Sequence, residues 1–218
     1  MTYDRVASAL AEVGLVARGG FHPVPDDAAP PTCRSLILVG NVGPDFWPRF
    51  EAERRDEPDP LDAWTKRQVD RVAASVGGWA VYPSDGPPYF PFQRWAMKSE
   101  PVHPSPIGML IHPDYGLWHA YRAAICLHDA VPLPVPDTRP SPCETCADKP
   151  CLTTCPVGAF SSSGYDVPAC ATYLRTDAGQ NCIDHGCRAR RACPVAGPHL
   201  YAPDQAAFHM RAFLAARD

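Results

Sequence analysis

Eight of the ten cysteines in this 218-residue chain fall within one stretch near its C-terminal end, and their spacing limits how that stretch can fold. They are Cys143, Cys146, Cys151, Cys155, Cys170, Cys182, Cys187 and Cys193. Cysteines at such spacings either form disulfides or bind metal. The N-terminal residues lack the basic start and long apolar run of a signal peptide, which predicts a cytoplasmic protein with reduced thiols. These cysteines are therefore predicted to be metal ligands.

The spacing favours iron–sulfur clusters. The first four cysteines follow C-x2-C-x4-C-x3-C-P, which differs from the bacterial ferredoxin run only by two extra residues in its middle gap. In that run the fourth cysteine binds the other cluster, and eight thiolates are enough for two [4Fe–4S] clusters. By this analogy we expect one cluster on Cys143, Cys146, Cys151 and Cys193, and the other on Cys155, Cys170, Cys182 and Cys187.

Two structural zinc sites are the main alternative, because a C-x2-C pair also begins a zinc ribbon. Zinc ribbons usually use two such pairs, and this sequence has one. Prolines after Cys155 and Cys193 also favour the iron–sulfur interpretation, because they repeat the Cys-Pro step of the ferredoxin run. The two remaining cysteines, Cys33 and Cys126, are predicted to be buried small hydrophobic residues.

The N-terminal part of the chain alternates helical and strand patterns. We predict an amphipathic helix over residues 2–17, a buried strand over 35–40, a helix from Asp59-Pro60 to residue 76, and a strand over 79–82. This order is typical of an α/β layer. A long loop follows over 83–106, with a short helix near 93–98, and then strands over 108–111 and 117–127. The predicted domains are residues 1–136 and residues 137–218, joined by the proline-rich linker 131–142 and closed by a helix after residue 203.

Charge and motifs narrow the class of partner. The formal net charge of −4 gives no sign of a nucleic-acid or membrane partner, and neither is predicted. Glycine-rich nucleotide-binding motifs are missing, so a nicotinamide cofactor held in the Rossmann manner is not expected. Electrons would then arrive from a low-potential protein donor such as a flavodoxin or ferredoxin.

The cysteine-rich segment resembles the C-terminal ferredoxin module of epoxyqueuosine reductases. The resemblance is carried by CPVGAF at 155–160, by Cys170 followed by ATYL, and by Gly186-Cys187 leading to Cys193-Pro194. It implies a cobalamin-dependent iron–sulfur enzyme. In that family the last part runs C-x2-C-x3-C-P, whereas Arg190 stands here near the place of the middle cysteine and the spacing is one residue shorter. Cys182 is the candidate replacement.

The N-terminal domain resembles a second family, the CblC-type cobalamin-processing proteins. The resemblance is carried by GMLIHPDYGLWHAYR at 108–122, and more weakly by FHPVP, SLILVG and DPLD. It implies an α+β, flavin-reductase-like fold that binds cobalamin, followed here by a loop-rich ferredoxin-like module with two [4Fe–4S] clusters. In that family the arginine matching Arg122 is associated with the thiol cosubstrate glutathione, so a small-molecule thiol or a corrinoid is a further expected partner.

A cofactor pocket is predicted near residues 89–122, lined by Trp95, His112, Trp118 and Arg122. Each of these residues also has a plainer interpretation. Arg122 could form a salt bridge, His112 before Pro113 could shape a turn, and the two tryptophans could fill the core. His103 and His119 belong to no motif, and we expect them to be structural or exposed.

The leading hypothesis is an iron–sulfur oxidoreductase that relays single electrons through two clusters to a corrinoid or substrate held by the N-terminal domain. The sequence assigns no catalytic residue. A non-catalytic electron carrier and a cobalamin chaperone with structural clusters are the alternatives. Arg188, Arg190 and Arg191 lie between two of the cysteines, where positive charge would stabilise a reduced cluster and dock an acidic donor, or would form a solvated basic turn.

Overall fold

The computed structural model describes residues 1–195 and 197–217. Backbone contacts divide the chain into two compact units. The first, here called the sheet unit, combines Met1–Pro101 with His119–Arg139, and the second, the cysteine unit, combines Val102–Trp118 with the chain from Pro140 onward. The main division therefore lies close to the predicted boundary after residue 136. The difference is the segment Val102–Trp118, which we had placed with the N-terminal domain.

The chain mixes helices and strands, as its sequence predicts. The strands are β1 (Val16–Phe21), β2 (Ser35–Val42), β3 (Gly78–Val81), β4 (His103–Pro104), β5 (Leu110–Ile111), β6 (His119–Leu127), β7 (Phe160–Ser161) and β8 (Gly164–Tyr165). The α-helices are α1 (Tyr3–Ala11), α2 (Trp47–Glu53), α3 (Pro60–Ser75), α4 (Phe92–Ser99), α5 (Pro142–Thr145), α6 (Pro150–Thr153), α7 (Val167–Leu174), α8 (Gln180–His185), α9 (Arg188–Arg191) and α10 (Pro203–Ala215). In the part of the chain that the structure describes, no helix is both long and apolar enough to span a lipid bilayer.

The sheet unit is built on a four-stranded sheet with the order β1-β2-β6-β3, in which every pair is antiparallel. Its central strand β2 is buried from Ser35 to Asn41, as the apolar run at residues 35–40 predicts. Helices α1, α3 and α4 pack against the strands. The mixture of helices and strands agrees with the predicted α/β class. Within that class the antiparallel pairing makes the sheet of the α+β kind, because β1 and β2 pair directly without a crossover helix.

The first helix is shorter than the sequence predicts. Helix α1 ends at Ala11, and residues 16–21 form the strand β1 instead of its last turn. Gly14 takes a left-handed conformation with φ of 78°, which ends the helical path. Gly19 lies in the strand because helix α4 passes close to it, and a Cβ atom at Gly19 would come within 2.4 Å of the Ser99 carbonyl oxygen.

Other predicted elements of the sheet unit are confirmed. Helix α3 begins at Pro60 with Asp59 as its N-cap residue, and it ends one residue earlier than expected. Strand β3 and helix α4 lie where the sequence predicts them, and strand β6 starts two residues later than expected. The elements that hold the cysteines are shorter, since α5, α6 and α9 have four residues each.

Candidate metal centre

The first predicted group of cysteines lines one cavity in the cysteine unit. The thiols of Cys143, Cys146, Cys151 and Cys193 surround a space of about 210 Å³, together with Ile111 and several prolines. Cys143 and Cys146 belong to α5 and its C-terminal cap, Cys151 belongs to α6, and Cys193 follows α9. The structure therefore brings together the four thiols that the ferredoxin analogy groups into one set, although they are up to 50 residues apart in sequence.

Proline and a left-handed residue place these thiols. Pro142 and Pro150 occupy the first turns of α5 and α6, where a missing N–H costs nothing, and a cysteine follows each of them directly. Ser141 caps α5 by accepting a hydrogen bond from the Cys143 N–H at 3.3 Å. Lys149 has a φ of 39° and turns the chain sharply into α6. Two short turns thus present their cysteines to one cavity.

An apolar cluster packs against the cysteines. Ile107, Ile111, Leu117 and Ala189 are buried together, and five of the eight cysteines pack against them. These packed cysteines are Cys143, Cys151, Cys155, Cys187 and Cys193. Three of the apolar residues come from the segment Val102–Trp118, which explains why this segment belongs to the cysteine unit. Sequence reasoning missed this role, although the apolar residues at 107, 111 and 117 were a signal.

The second predicted group of cysteines also comes together. Cys170 lies within electrostatic reach of Cys155 and Cys182, and Cys187 lies within reach of Cys182 and Cys170. Cys182 is buried in an apolar cluster that also contains Leu174 and Ile183, with Cys170 packed against it. The thiol of Cys182 thus stands with the other three. The role of Cys182 as a replacement ligand, which the resemblance implies, stays a prediction.

The side chain of Arg190 contacts the end of the segment Val102–Trp118. Its guanidinium donates two hydrogen bonds to the carbonyl oxygen of Leu117, at 3.2 and 2.6 Å. It also lies over the rings of Trp118 and Tyr201, at 4.3 and 4.5 Å from their centroids. Arg190 therefore holds the segment that ends at Trp118 and is not part of a solvated basic turn.

Backbone N–H groups are directed at several of the sulfurs. The N–H of Ala159 donates to Cys155 Sγ at 3.4 Å. At Cys187, the N-cap residue of α9, the backbone N–H groups of Arg190 and Ala189 lower the pKa of the thiol against the larger effect of burial. Such hydrogen bonds favour a charged sulfur, and in iron–sulfur proteins they tune the reduction potential.

Burial sets the protonation of the thiols in the metal-free chain. It raises the pKa of Cys143, Cys151 and Cys193 above the ordinary thiol value, and neighbouring cysteines raise these pKa values further. Burial likewise raises the pKa of Cys170 and Cys187. A metal binds the thiolate, so assembly of a metal centre on these neutral thiols must release protons.

The donor set fits a [4Fe–4S] cluster at each group. All ten cysteines are free thiols, and the first group surrounds its cavity with four of them. Among residues 1–195 and 197–217, no three His, Cys, Asp or Glu side chains are arranged to share one metal ion. A [4Fe–4S] cluster binds four cysteine thiolates, one on each iron, so its ligands surround a body larger than a single ion. Lys149 also lines the first cavity, and its positive charge would partly compensate the negative charge of four thiolates.

The four residues predicted to line a cofactor pocket have different surroundings. Trp95 lies in the core of the sheet unit, packs on Phe92 and donates from Nε1 to the Asp27 carbonyl oxygen at 2.7 Å. Arg122 donates from Nε to Asn41 Oδ1 at 2.8 Å, and its guanidinium lies over the ring of Phe46. Trp95 thus fills the core, and Arg122 makes the salt bridge of its plainer interpretation, with Asp62 Oδ1 at 4.0 Å.

His112 and Trp118 belong to the cysteine unit. The Nδ1 atom of buried His112 accepts the N–H groups of Asp114 and Tyr115, at 3.0 and 3.4 Å, and its ring stacks on Tyr115. These are the contacts of a turn-shaping histidine. Trp118 is buried against Tyr201. Binding of cobalamin by His112, Trp118, Trp95 or Arg122 stays a prediction.

A cavity of the sheet unit lies beside Arg122. It has a volume of about 400 Å³, and its walls come from α3, from the turn after β3 and from β6. Lys66, Tyr82, Tyr121 and Arg122 line it with three aspartates, Asp59, Asp62 and Asp85. The aromatic loop over residues 89–97, which we expected to form a pocket wall, does not contribute to the lining of this cavity.

Sequence reasoning also missed a buried polar network in the sheet unit. Arg18 is 1% exposed and makes a bidentate ion pair with Glu100, with distances of 2.6 to 2.9 Å. The hydroxyl of Tyr121 donates to Glu100 Oε2 at 2.7 Å, and Arg18 also reaches His119 Nδ1 at 3.4 Å. His119 is therefore a buried member of this network, as its structural interpretation requires.

Cys33 and Cys126 are both buried in the sheet unit, as predicted. Cys33 donates a hydrogen bond to the Ser35 carbonyl oxygen at 3.4 Å. The neighbouring thiol of Cys33, together with burial, raises the pKa of Cys126, so this thiol stays protonated. Neither residue belongs to the two groups of metal-ligand candidates.

Solved structures of epoxyqueuosine reductases are similar to this chain. The structure from Streptococcus thermophilus has 11% sequence identity and a TM-score of 0.56, and the match covers 94% of this chain and 70% of that one. The structure from Bacillus subtilis has 12% identity and a TM-score of 0.54, with 93% and 69% covered. A third, in complex with an epoxyqueuosine-modified tRNA stem loop, has 13% identity and a TM-score of 0.51, with 93% and 69% covered. No family model matches the sequence, and neither does any curated protein.

The RNA complex corrects one of our predictions. We had excluded a nucleic-acid partner from the net charge of −4, and this exclusion is wrong because a protein of similar fold binds an RNA stem loop. Net charge describes the whole chain, whereas RNA contacts a local surface whose charge can differ in sign. The resemblance to epoxyqueuosine reductases thus extends from the cysteine motifs to the fold of nearly the whole chain. These comparisons support a shared fold and leave the CblC-type resemblance as a resemblance of sequence segments.

Proposed function

We propose that this chain is an iron–sulfur oxidoreductase that passes single electrons through two [4Fe–4S] clusters to a corrinoid or a substrate. The observation that carries the proposal is the gathering of eight separate cysteines into two groups of four within the cysteine unit. The fold shared with epoxyqueuosine reductases supports it. A group of four partly buried thiols is the environment that such clusters use.

The residues around the first group would control its environment. Cys143, Cys146, Cys151 and Cys193 would hold the cluster, and the clusters when bound supply one-electron chemistry. Ile107 and Ile111 pack at this site and exclude water, which lowers the local dielectric constant. Lys149 would favour the reduced form through its positive charge.

The proposal also concerns the electron acceptor, which is the group that receives electrons from the clusters. We propose that the sheet unit holds it, with Arg122 contributing to its binding. The guanidinium of Arg122 is fixed by Asn41 and lines the cavity of about 400 Å³. An arginine fixed in this way suits a carboxylate, a phosphate or an amide-rich edge. Cobalamin as the acceptor rests on the two resemblances of sequence.

RNA is the second candidate for the substrate class, because one structure of similar fold is an epoxyqueuosine reductase bound to a modified tRNA stem loop. A modified nucleoside in such a stem loop would then be the group that receives the electrons. The two possibilities are compatible, since a corrinoid could mediate between the clusters and an RNA substrate.

Anaerobic purification with analysis of iron, sulfide and cobalt tests the proposal. We expect about eight iron and eight sulfide per chain, from two [4Fe–4S] clusters. Titration of this material with cobalamin, and separately with an RNA stem loop, then tests the two acceptors, with Arg122→Ala as the variant that weakens acceptor binding. Zinc without sulfide would contradict the whole proposal. Full clusters without binding of either acceptor would favour a simple electron carrier.

A further inference from the structure

Two arginines line the surface next to the second group of cysteines. Thr154, Asn181, Arg188, Arg191 and Ala192 line a shallow, open and mostly polar concavity of the cysteine unit, here called the arginine patch. Its lining contains two arginines and no carboxylate.

All of these patch residues except Arg191 are directly adjacent to a cysteine in the sequence. Thr154 precedes Cys155, Asn181 precedes Cys182, Arg188 follows Cys187, and Ala192 precedes Cys193. Three of these cysteines form part of the second group, and the fourth belongs to the first. A partner that covers the arginine patch would therefore contact residues that are directly adjacent in sequence to three cysteines of the second group. Electron transfer needs a short separation.

The three arginines between Cys187 and Cys193 have different roles. Arg190 is held by Leu117, Trp118 and Tyr201, and it does not line the patch. Arg191 is half-buried and donates from Nε to the Gly186 carbonyl oxygen at 3.2 Å, with a second hydrogen bond to the Asn181 side chain. It is a fixed positive charge that also braces the turn before Cys187.

Arg188 is the free charge of the patch. It is exposed, and no hydrogen bond or ion pair joins it to another residue of the described ranges 1–195 and 197–217. The acidic residue of α8, Asp184, lies 3.7 Å from Arg211 in an ion pair, and it also accepts a hydrogen bond from Gln180. An exposed arginine beside a fixed one, with the neighbouring carboxylate already paired, is suited to binding a negatively charged surface.

We infer that the arginine patch is the docking surface for a small acidic electron-transfer protein, and that electrons enter the chain through the second group of cysteines. This inference rests on the proposed function. Cys155, Cys170, Cys182 and Cys187 would hold the cluster that accepts the electron. The donor would be oxidised by one electron and the cluster reduced by one, with no change of covalent bonds.

The binding test uses the cluster-loaded protein and an acidic flavodoxin as the probe. Calorimetry in the oxidised state, where no electron passes, measures affinity alone. We expect Arg188→Glu to weaken binding about tenfold at low ionic strength, and the loss to shrink at high salt, where charges are screened over a few ångströms. Arg188→Lys keeps the charge and should bind within about twofold of the unchanged protein.

A matched control separates local from global charge. Arg55→Glu changes the net charge by the same amount at an exposed residue of the sheet unit. We expect this variant to bind flavodoxin nearly as well as the unchanged chain. An equal loss in Arg55→Glu and Arg188→Glu would overturn the inference, because binding would then depend on net charge only.

A kinetic measurement completes the test. Stopped-flow reduction by flavodoxin should slow in Arg188→Glu by the same factor as binding, while reduction by dithionite, a small reductant, should not change. Unchanged flavodoxin binding and reduction in a cluster-loaded Arg188→Glu protein would overturn the docking surface and leave the proposed function standing. If Arg188→Glu instead lost binding of the RNA stem loop, the arginine patch would be an RNA-binding surface, and the inference would be overturned. A protein without iron and sulfide would contradict both proposals together.

Discussion

The guanidinium of Arg190 lies 4.3 Å from the ring centroid of Trp118 and donates two hydrogen bonds to the preceding carbonyl group, that of Leu117. Two regions separated by about 70 residues are joined in this way within the cysteine unit. Arg190 stands near the place where the family that this segment resembles has a cysteine. In this chain the residue at that place contributes to the packing of the unit.

Replacing Arg190 by Ala should therefore destabilise the cysteine unit. Hydrogen bonds from a charged donor contribute roughly 1.5–3 kcal/mol, and the contacts with Trp118 and Tyr201 add to this. We expect a lower urea midpoint for loss of the visible absorbance of the clusters. Arg188→Ala removes the same side chain at an exposed position and should change stability by no more than about 0.5 kcal/mol. Equal midpoints for the two variants would contradict the assigned role.

Cys182 should be a ligand of the second cluster. Its thiol is buried beside Cys170 and Cys187, so Cys182→Ser should reduce the iron content from about eight to about four atoms per chain. Cys126→Ser provides the matched control, because Cys126 is equally buried but lies in the sheet unit. Iron and sulfide analysis of anaerobic preparations checks the result. Full iron content in Cys182→Ser would remove Cys182 from the ligand set.

Lys149 should raise the reduction potential of the first cluster. It lines the same cavity as the four thiols, and its charge already lowers the pKa of Cys143 against the larger effect of burial. Lys149→Gln should therefore make this potential more negative, by tens of millivolts, where about 59 mV corresponds to a tenfold change for one electron. Lys149→Arg keeps the charge on the same left-handed backbone and should leave the potential close to its original value. Potentiometric titration followed by electron paramagnetic resonance measures both variants.

Gly19 should be essential to the packing of helix α4 on the sheet. A Cβ atom at Gly19 would lie 2.4 Å from the Ser99 carbonyl oxygen, whereas a Cβ atom at Gly77 would meet no atom within 4 Å. Both glycines have positive φ, so Ala at either position costs roughly 1–2 kcal/mol for the backbone alone. Gly19→Ala should lose clearly more stability than Gly77→Ala, as thermal unfolding would show. Similar losses of stability in the two variants would mean that helix α4 can move away from residue 19 at no cost in free energy.

The sequence predicted those features that depend on local pattern. The apolar run at residues 35–40 is a buried strand, and Asp59-Pro60 starts a helix, because neighbouring residues determine both. The ferredoxin crossover predicted two groups of cysteines, and the members of each group lie near one another. That they bind clusters stays a prediction. Cys182 was harder to place, because no motif contains it and its proximity to Cys170 comes from the packing of α8.

Features that depend on distant contacts were missed. Helix α1 was extended past Ala11, because the close approach of Ser99 to Gly19 cannot be read from the local sequence. The segment around Ile111 was assigned to the N-terminal domain because it lies between two of that domain's elements along the chain. Arg190 was grouped with its charged neighbours, although its contacts with Leu117 and Trp118 set it apart from them.

The membership of Val102–Trp118 in the cysteine unit affects how this protein can be divided. The chain leaves the sheet unit after Pro101, returns to it at His119, and leaves again after Arg139. A single cut in the proline-rich linker would therefore separate Ile107, Ile111 and Leu117 from the thiols that they cover. A fragment starting at Pro140 would hold all eight ligand candidates, yet its cluster-binding face would be open to water and oxygen. In this protein the cysteine unit is interleaved with the sheet unit along the chain, so that a single cut cannot separate the two intact.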